Sequence, residues 1–378
     1  LLKKLEESLK KSFIALPPNE VLRRVGQLCQ VAGVSLGEYI DGPERHVRFV
    51  DIRSGSGLEL RVLVDRGFDI GEMRIDGVPI AWRSPTGFRS PYLNHPEEES
   101  GAGLLRSFDG LLVTCGLDHI RGAATGPASH FGPRRESVNY TMHGRISSSP
   151  AQLTGYGESW QGDVCTLWCE GVVRQAMLYG ESLSLLRRIE VRLGESRVAI
   201  IDRVVNNGFR PTPHMLMYHV NFGYPLLDEG AELMLPREYQ ATPGTAATRA
   251  HMAVQPGPAV APAADELLDM HLPPYRDTPP NLYSCGVIND SLRDGFALEV
   301  TYDPATLPYL QVWRNLSEGI YVLALEPGTH PAKRRAELEQ SGAIAHLQPG
   351  QAVDYRLTLE AHIGGVSIAD MRKRYGGT

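Results

Sequence analysis

Leu58-Glu59-Leu60-Arg61-Val62-Leu63-Val64 alternates apolar and polar residues over most of its length, and eight residues on the pattern starts again around Asp76-Gly77. Glu72–Ile75 and Val78–Trp82 flank that dipeptide, and Asp-Gly between two such runs is a strong hairpin signal, because both residues accept a positive φ. Working outward, the same kind of segment recurs at Val164–Val173, Ser182–Leu193, Val198–Val205, His214–Phe222, Ala297–Tyr302, Tyr309–Trp313, Tyr321–Leu325 and Asp354–His362. Each is short and bounded by Gly, Pro, Asn or Asp. More than ten strand candidates and few long helices predict a mainly β chain, with two antiparallel sheets packed face to face.

Composition agrees. The 378 residues include 39 glycines and 27 prolines, 17% of the chain against an average of roughly 12%. The sequence is read as a helical N-terminal extension over residues 1–30, carrying a stripe of Leu1, Leu2, Leu5, Leu9 and Phe13, and one large β-sandwich domain over 31–378. The extension reads as a flap packed on the domain or a dimerisation arm. Residues 241–282 hold eight prolines and much alanine, and are expected to be a long surface loop.

Several partners are disfavoured. Net charge is −6 and no basic run stands out, so nucleic acid is not expected. No apolar run reaches the roughly 18–20 residues of a membrane span. Five cysteines (Cys29, Cys115, Cys165, Cys169 and Cys285) are an odd, sparse set that suits reduced thiols in the cytoplasm. Cys165 and Cys169 could share a face and hold a metal, but no second pair supports them. No phosphate-cradling loop, Gly-x-Ser-x-Gly elbow or His-Glu-x-x-His helix is found. Asp65-Arg66-Gly67-Phe68-Asp69 is expected to be a tight turn with an internal Asp–Arg pair.

Three places combine titratable groups with apolar strands: Met142-His143-Gly144-Arg145, Met217-Tyr218-His219-Val220-Asn221-Phe222-Gly223-Tyr224-Pro225, and Val322-Leu323-Ala324-Leu325-Glu326-Pro327-Gly328. Singly, a His or Glu in such a setting is most often a hydrogen-bonded structural residue. In this order, together with the closing Leu347-Gln348-Pro349-Gly350-Gln351 turn, they resemble the aldose 1-epimerases, the galactose mutarotase-like superfamily. The resemblance runs over residues 35–362. It has departures: the family's Asn-His-x-Tyr-Phe-Asn-Leu is here Tyr218-His219-Val220-Asn221-Phe222-Gly223-Tyr224, and its Asn-Arg pair is replaced around Cys115–Arg121. This resembles a divergent branch, whose sugar and reaction can differ from galactose mutarotation.

The resemblance implies a large β-sandwich that takes a small-molecule sugar, as monomer or homodimer, and interconverts its anomers. Opening a cyclic hemiacetal requires one proton removed from the anomeric hydroxyl and one delivered to the ring oxygen, so no metal, nucleotide or other cofactor is expected. By carry-over, Glu326 is the expected base, His219 the acid, and His143 a second imidazole, with acid and base straddling the anomeric carbon across a groove one sugar ring wide. Arg145, Arg121 and His119 are the candidate hydroxyl contacts. Asp277, with Asn281 next, is the nearest match to the family's substrate-binding aspartate. Trp313 is the expected stacking platform for the sugar's C–H face, with a core aromatic as the alternative. A non-catalytic sugar-binding protein, or an isomerase or lyase on an oxidised sugar, would use the same parts. Two histidines alone make a thin metal site.

Overall fold

A computed structural model describes residues 18–132, 135–235, 240–241, 265–271 and 282–375. The expected hairpin is present: Ile75 pairs with Val78, and Asp76 and Gly77 have φ of 50° and 78°. Positive φ at both central residues is the type I′ geometry that matches the twist of paired strands. This hairpin belongs to a five-stranded antiparallel meander of Gly33–Glu38, Arg48–Arg53, Leu58–Leu63, Asp69–Ile75 and Val78–Pro79.

Two larger sheets complete the β-sandwich. The eight-stranded one runs, in spatial order, Glu232–Met234, Tyr283–Asn289, Phe296–Tyr302, Ala352–Ile363, Arg197–Asn206, Ser182–Arg192, Val164–Ala176, Ala151–Gln161. The seven-stranded one contains Gln240–Ala241, Asp265–His271, Tyr309–Asn315, Val322–Gly328, Thr212–Phe222 and Ala345–Leu347, with Leu112–Leu117 also paired to Thr212–Phe222. Alternating side chains of all three sheets enter one continuous apolar core, from Val50 and Val62 through Leu167, Leu185 and Ile200 to Leu216, Val220, Val312 and Leu325. Burying each of these side chains contributes about 1.5–3 kcal/mol.

The strand Thr212–Phe222 is buried along its whole length. Its even-numbered residues Leu216, Tyr218, Val220 and Phe222 enter the core. Its odd-numbered residues face the other side of the sheet, where Met215 and Met217 pack with Leu338 and Ile344 around the short helix Arg335–Gln340. A second helix, Gly365–Tyr375, seats Ile368 and Met371 on Ile288 and Ala297. Among the described residues no helix is long and apolar enough to cross a membrane.

Three expectations need comment. Residues 241–282 are not wholly a loop, since Asp265–His271 is a strand paired with Tyr309–Asn315 in full register. Of the N-terminal stretch, residues 1–17 lie outside the described residues, and Pro18–Leu22 is one short helix. The 65–69 turn has no internal ion pair. Asp65 binds Arg48, Asp69 binds Arg187, and Arg66 donates to the carbonyls of Arg89 and Ser107. Opposite ends of a turn this tight point their side chains into different layers. All five cysteines are free.

Candidate active site

Strand pairing brings two of the three motifs together. Val220 pairs with Leu325 and Asn221 with Ala324, while Gln311 and Trp313 pair with Glu326 and Ala324 across the next strand. Residues opposite one another share a face, so His219, Asn221, Glu326 and Trp313 all lie on the sheet side away from the main core. His219 Nε2 is 3.1 Å from Glu326 Oε1.

The third motif arrives by a loop. His143 and Gly144 have successive φ values of 57° and 75°. A Cβ on Gly144 would stand 1.9 Å from the Gly116 carbonyl oxygen, so only glycine permits the close bridge between Gly116 and Gly144. The neighbouring backbone is closed by Gly116 N–H to His143 O at 2.9 Å and Arg145 N–H to Gly116 O at 3.0 Å. A left-handed non-glycine residue costs about 1–2 kcal/mol, and here it sets the imidazole of His143 edge-on to that of His219, with ring centroids 5.7 Å apart. Arg121, itself at φ 80°, donates its backbone N–H to His143 Nδ1 at 3.4 Å and places Nη1 3.7 Å from Glu326 Oε2.

Aromatic rings enclose the pair. Phe108 stands edge-on to His219 at 4.9 Å and stacks parallel to His143 at 6.4 Å. Trp313 lies 5.6 Å from His219, and Trp82 supports Trp313 edge-on at 6.5 Å while donating its indole N–H to Ile320 O. His219 and Glu326 are only 4% and 1% exposed, whereas Arg121, His143 and Trp313 are partly exposed.

Electrostatics follow from this enclosure. Burial lowers the pKa of His219, opposed by the Glu326 carboxylate and the Asn221 hydrogen bond. Burial, then His219 and Arg121, push His143 well below the ordinary imidazole value, so it is neutral at pH 7. Among the described residues, none donates a hydrogen bond to the buried Glu326 Oε2. A buried carboxylate oxygen without a donor is costly, and functional sites are where such atoms persist.

The structure separates the sequence candidates. Glu326, His219, His143, Arg121 and Trp313 come together. Arg145 does not join them: its Nε binds Glu97 at 2.8 Å and its Nη2 the Asn139 carbonyl at 3.0 Å, so the guanidinium is spent on the loop. His119 is 1% exposed, with Nε2 on the Gly122 carbonyl at 2.8 Å and Nδ1 against Arg335 at 3.4 Å. Burial lowers its pKa to about 4, and a neutral ring with both nitrogens engaged has nothing to offer a sugar. Asp277 and Asn281 lie outside the described residues. The expected one-ring gap between acid and base is also absent, because neighbouring strands hold them in direct contact. Sequence reasoning missed Phe108, which sits in an irregular segment, and the part played by Asn221, whose side chain bonds His219 Nδ1 at 2.6 Å.

Among the described residues, ligand-type atoms of Glu299, Glu360 and His362 lie within 4.8 Å of one another on the eight-stranded sheet. They are not part of this site.

A family model described as "Domain of unknown function (DUF4432)" matches residues 44–361. Solved structures with the same fold include a candidate aldose 1-epimerase from Klebsiella pneumoniae, at TM-score 0.77 and 20% identity, covering 90% of this chain and 86% of that one. A galactose mutarotase-like protein from Clostridium acetobutylicum aligns at TM-score 0.56 and 14% identity, covering 87% and 98%. The galactose 1-epimerase of Lactobacillus acidophilus aligns at TM-score 0.54 and 13% identity, covering 88% and 99%. At these identities the likeness is one of fold. No curated protein matches the chain.

Proposed function

The chain belongs to the DUF4432 family, and we propose from its site that it is a sugar epimerase that interconverts anomers by acid–base ring opening. The observation that carries this reading is the His219 Nε2–Glu326 Oε1 contact, beside a Glu326 Oε2 to which no described residue donates a hydrogen bond. The anomeric oxygen and the ring oxygen of a cyclic sugar are bonded to the same carbon. They are too close together to need catalytic groups on opposite walls, and an imidazole and a carboxylate in contact can address both.

The steps balance. Glu326 Oε2 takes the proton of the anomeric hydroxyl as that C–O bond becomes a carbonyl. The bond from C1 to the ring oxygen breaks, and His219 delivers a proton to the departing oxygen. Rotation about C1–C2 presents the other carbonyl face, and the reverse transfers close the ring. Positioned acids and bases contribute about 10²–10⁴-fold each. Arg121 holds the carboxylate charge, and neutral His143 serves as a hydrogen-bonding partner for the sugar. Trp313 and Phe108 supply the apolar surface that the C–H face of a sugar prefers.

The test is exchange NMR between α and β anomers over a panel of neutral, acidic and phosphorylated aldoses. Accelerated exchange with at least one sugar, lost in Glu326→Gln, is expected. Binding without acceleration on every sugar, or full activity in Glu326→Gln, overturns the proposal.

A further inference from the structure

The hydrogen bonds around His219 fix where its protons are. Asn221 is fully buried, and its amide nitrogen donates to the Gly110 carbonyl at 3.0 Å. Its oxygen is therefore the atom facing His219 Nδ1, at 2.6 Å. An amide oxygen only accepts, so Nδ1 carries a proton. In a neutral imidazole the second nitrogen then bears a lone pair, and Nε2 would face the Glu326 carboxylate, another acceptor, at 3.1 Å. Two acceptors at that distance repel unless a proton lies between them.

The geometry points to Asn221 as a positioning residue that locks His219 in the Nδ1–H form and thereby forces one extra proton into the His219–Glu326 contact. Whether the resting pair is written imidazolium–carboxylate or imidazole–carboxylic acid, it holds the same single proton. Such a pair is loaded for ring opening: the shared proton goes to the ring oxygen while Glu326 Oε2 receives the anomeric one. One proton enters, one leaves, and the pair is restored on ring closure. Without the lock, the Nε2–H tautomer satisfies an ionised Glu326 with no extra proton. That neutral imidazole is a far weaker acid toward an ether-like oxygen. The mechanistic half of this inference rests on the epimerase reading. The tautomer itself does not.

Among the described residues, Asn221 is the hydrogen-bond partner of Nδ1. Facing the imidazole are Glu326 and Arg121 as charged groups, with His143, Phe108 and Trp313 as rings. The backbone holds Asn221 firmly, its N–H donating to Leu111 O at 2.6 Å and its carbonyl accepting from Trp82 N–H at 3.1 Å.

The experiment is long-range ¹H–¹⁵N NMR on histidine-labelled protein, with the His219 ring assigned by its loss in His219→Gln. Wild type should show a protonated Nδ1 and an Nε2 shifted by a shared proton. Asn221→Leu should relax the ring toward the Nε2–H form. On any sugar the enzyme turns over, it should lower kcat by about 10²-fold with little change in KM. Asn221→Asp, which keeps an acceptor at Nδ1, should retain the Nδ1–H form and move the pH profile of kcat. An Nε2–H tautomer in the wild-type protein overturns the proposal outright, and that measurement stands even if the leucine variant does not fold. A wild-type tautomer as expected with no sugar turned over leaves the lock intact and removes the epimerase reading. Turnover with the opposite tautomer does the reverse.

Discussion

Arg121 Nη1 lies 3.7 Å from Glu326 Oε2, too far for a hydrogen bond and close enough for charge to act. A hydroxyl oxygen placed between them could accept from the guanidinium while giving its proton to the carboxylate. This is where the anomeric hydroxyl belongs if ring opening is the reaction. Arg121→Met is expected to lower kcat/KM by about 10²-fold, the usual cost of losing one preorganised donor to a developing charge. Arg121→Lys should recover part of it. Anomer-exchange rates for the two variants decide the matter, and a methionine variant as fast as wild type would refute the role.

Trp313 is partly exposed and stands beside His219. As a sugar platform it should act on binding more than on proton transfer. Trp313→Ala is expected to raise KM about 10-fold, equivalent to about 1.4 kcal/mol, with kcat changed less than about threefold. Sugar titration followed by Trp fluorescence or calorimetry checks it. Equal affinity in the variant would return Trp313 to the status of a packing residue.

Acid stability follows from the buried histidines. His119, His130, His214 and His330 are at most 3% exposed, and burial lowers each pKa to about 4. Unfolded, each titrates near about 6.5. Below that value the unfolded chain takes up protons that the folded one refuses. Stability from these groups is therefore complete above about pH 6.5 and is lost as pH falls through 4, at up to about 1.4 kcal/mol per pH unit for each residue. Asp69, raised to about 6 chiefly by burial, works the other way over part of this window, as do Asp109 and Glu181, which burial also raises. Urea unfolding at pH 5, 6, 7 and 8 should show a steep fall below 6.5, and a flat profile from 8 to 5 would contradict it.

Beneath the site, fully buried Arg187 grips Asp202 through Nε at 2.8 Å and Nη2 at 2.6 Å, and Asp69 through Nη1 at 2.7 Å. The Tyr218 hydroxyl also donates to Asp202, at 2.7 Å. Arg187→Met would strand two buried carboxylates and is expected to cost about 3–5 kcal/mol. Chemical denaturation measures it. A loss under about 1 kcal/mol would mean that water reaches the carboxylates.

Much of this was readable from residues. Alternation and the Asp76-Gly77 signal located about half of the described strands, and the places of His219, His143 and Glu326 in or beside apolar segments marked them as candidates. Arg187 was readable too: Leu183, Leu185, Ile189 and Val191 share its parity, so the strand's own period puts its guanidinium inside. An arginine there reads as exposed only if residue type is weighed above register. Arg145 and His119 could not be sorted this way, because the groups that occupy them, Glu97 and Arg335, are remote in sequence. Asp265–His271 was hidden by its proline-rich flanks.

Tyr218 and His219 are consecutive residues on a single strand, one anchoring the buried ion cluster and the other in contact with Glu326. Slipping that strand by one position would exchange phenol for imidazole on both faces at once. On the epimerase reading, turnover is thus a gauge of interior integrity as much as of the groups that would meet the sugar. Variants that loosen the arginine-centred cluster should lose activity while every residue in contact with substrate remains unaltered.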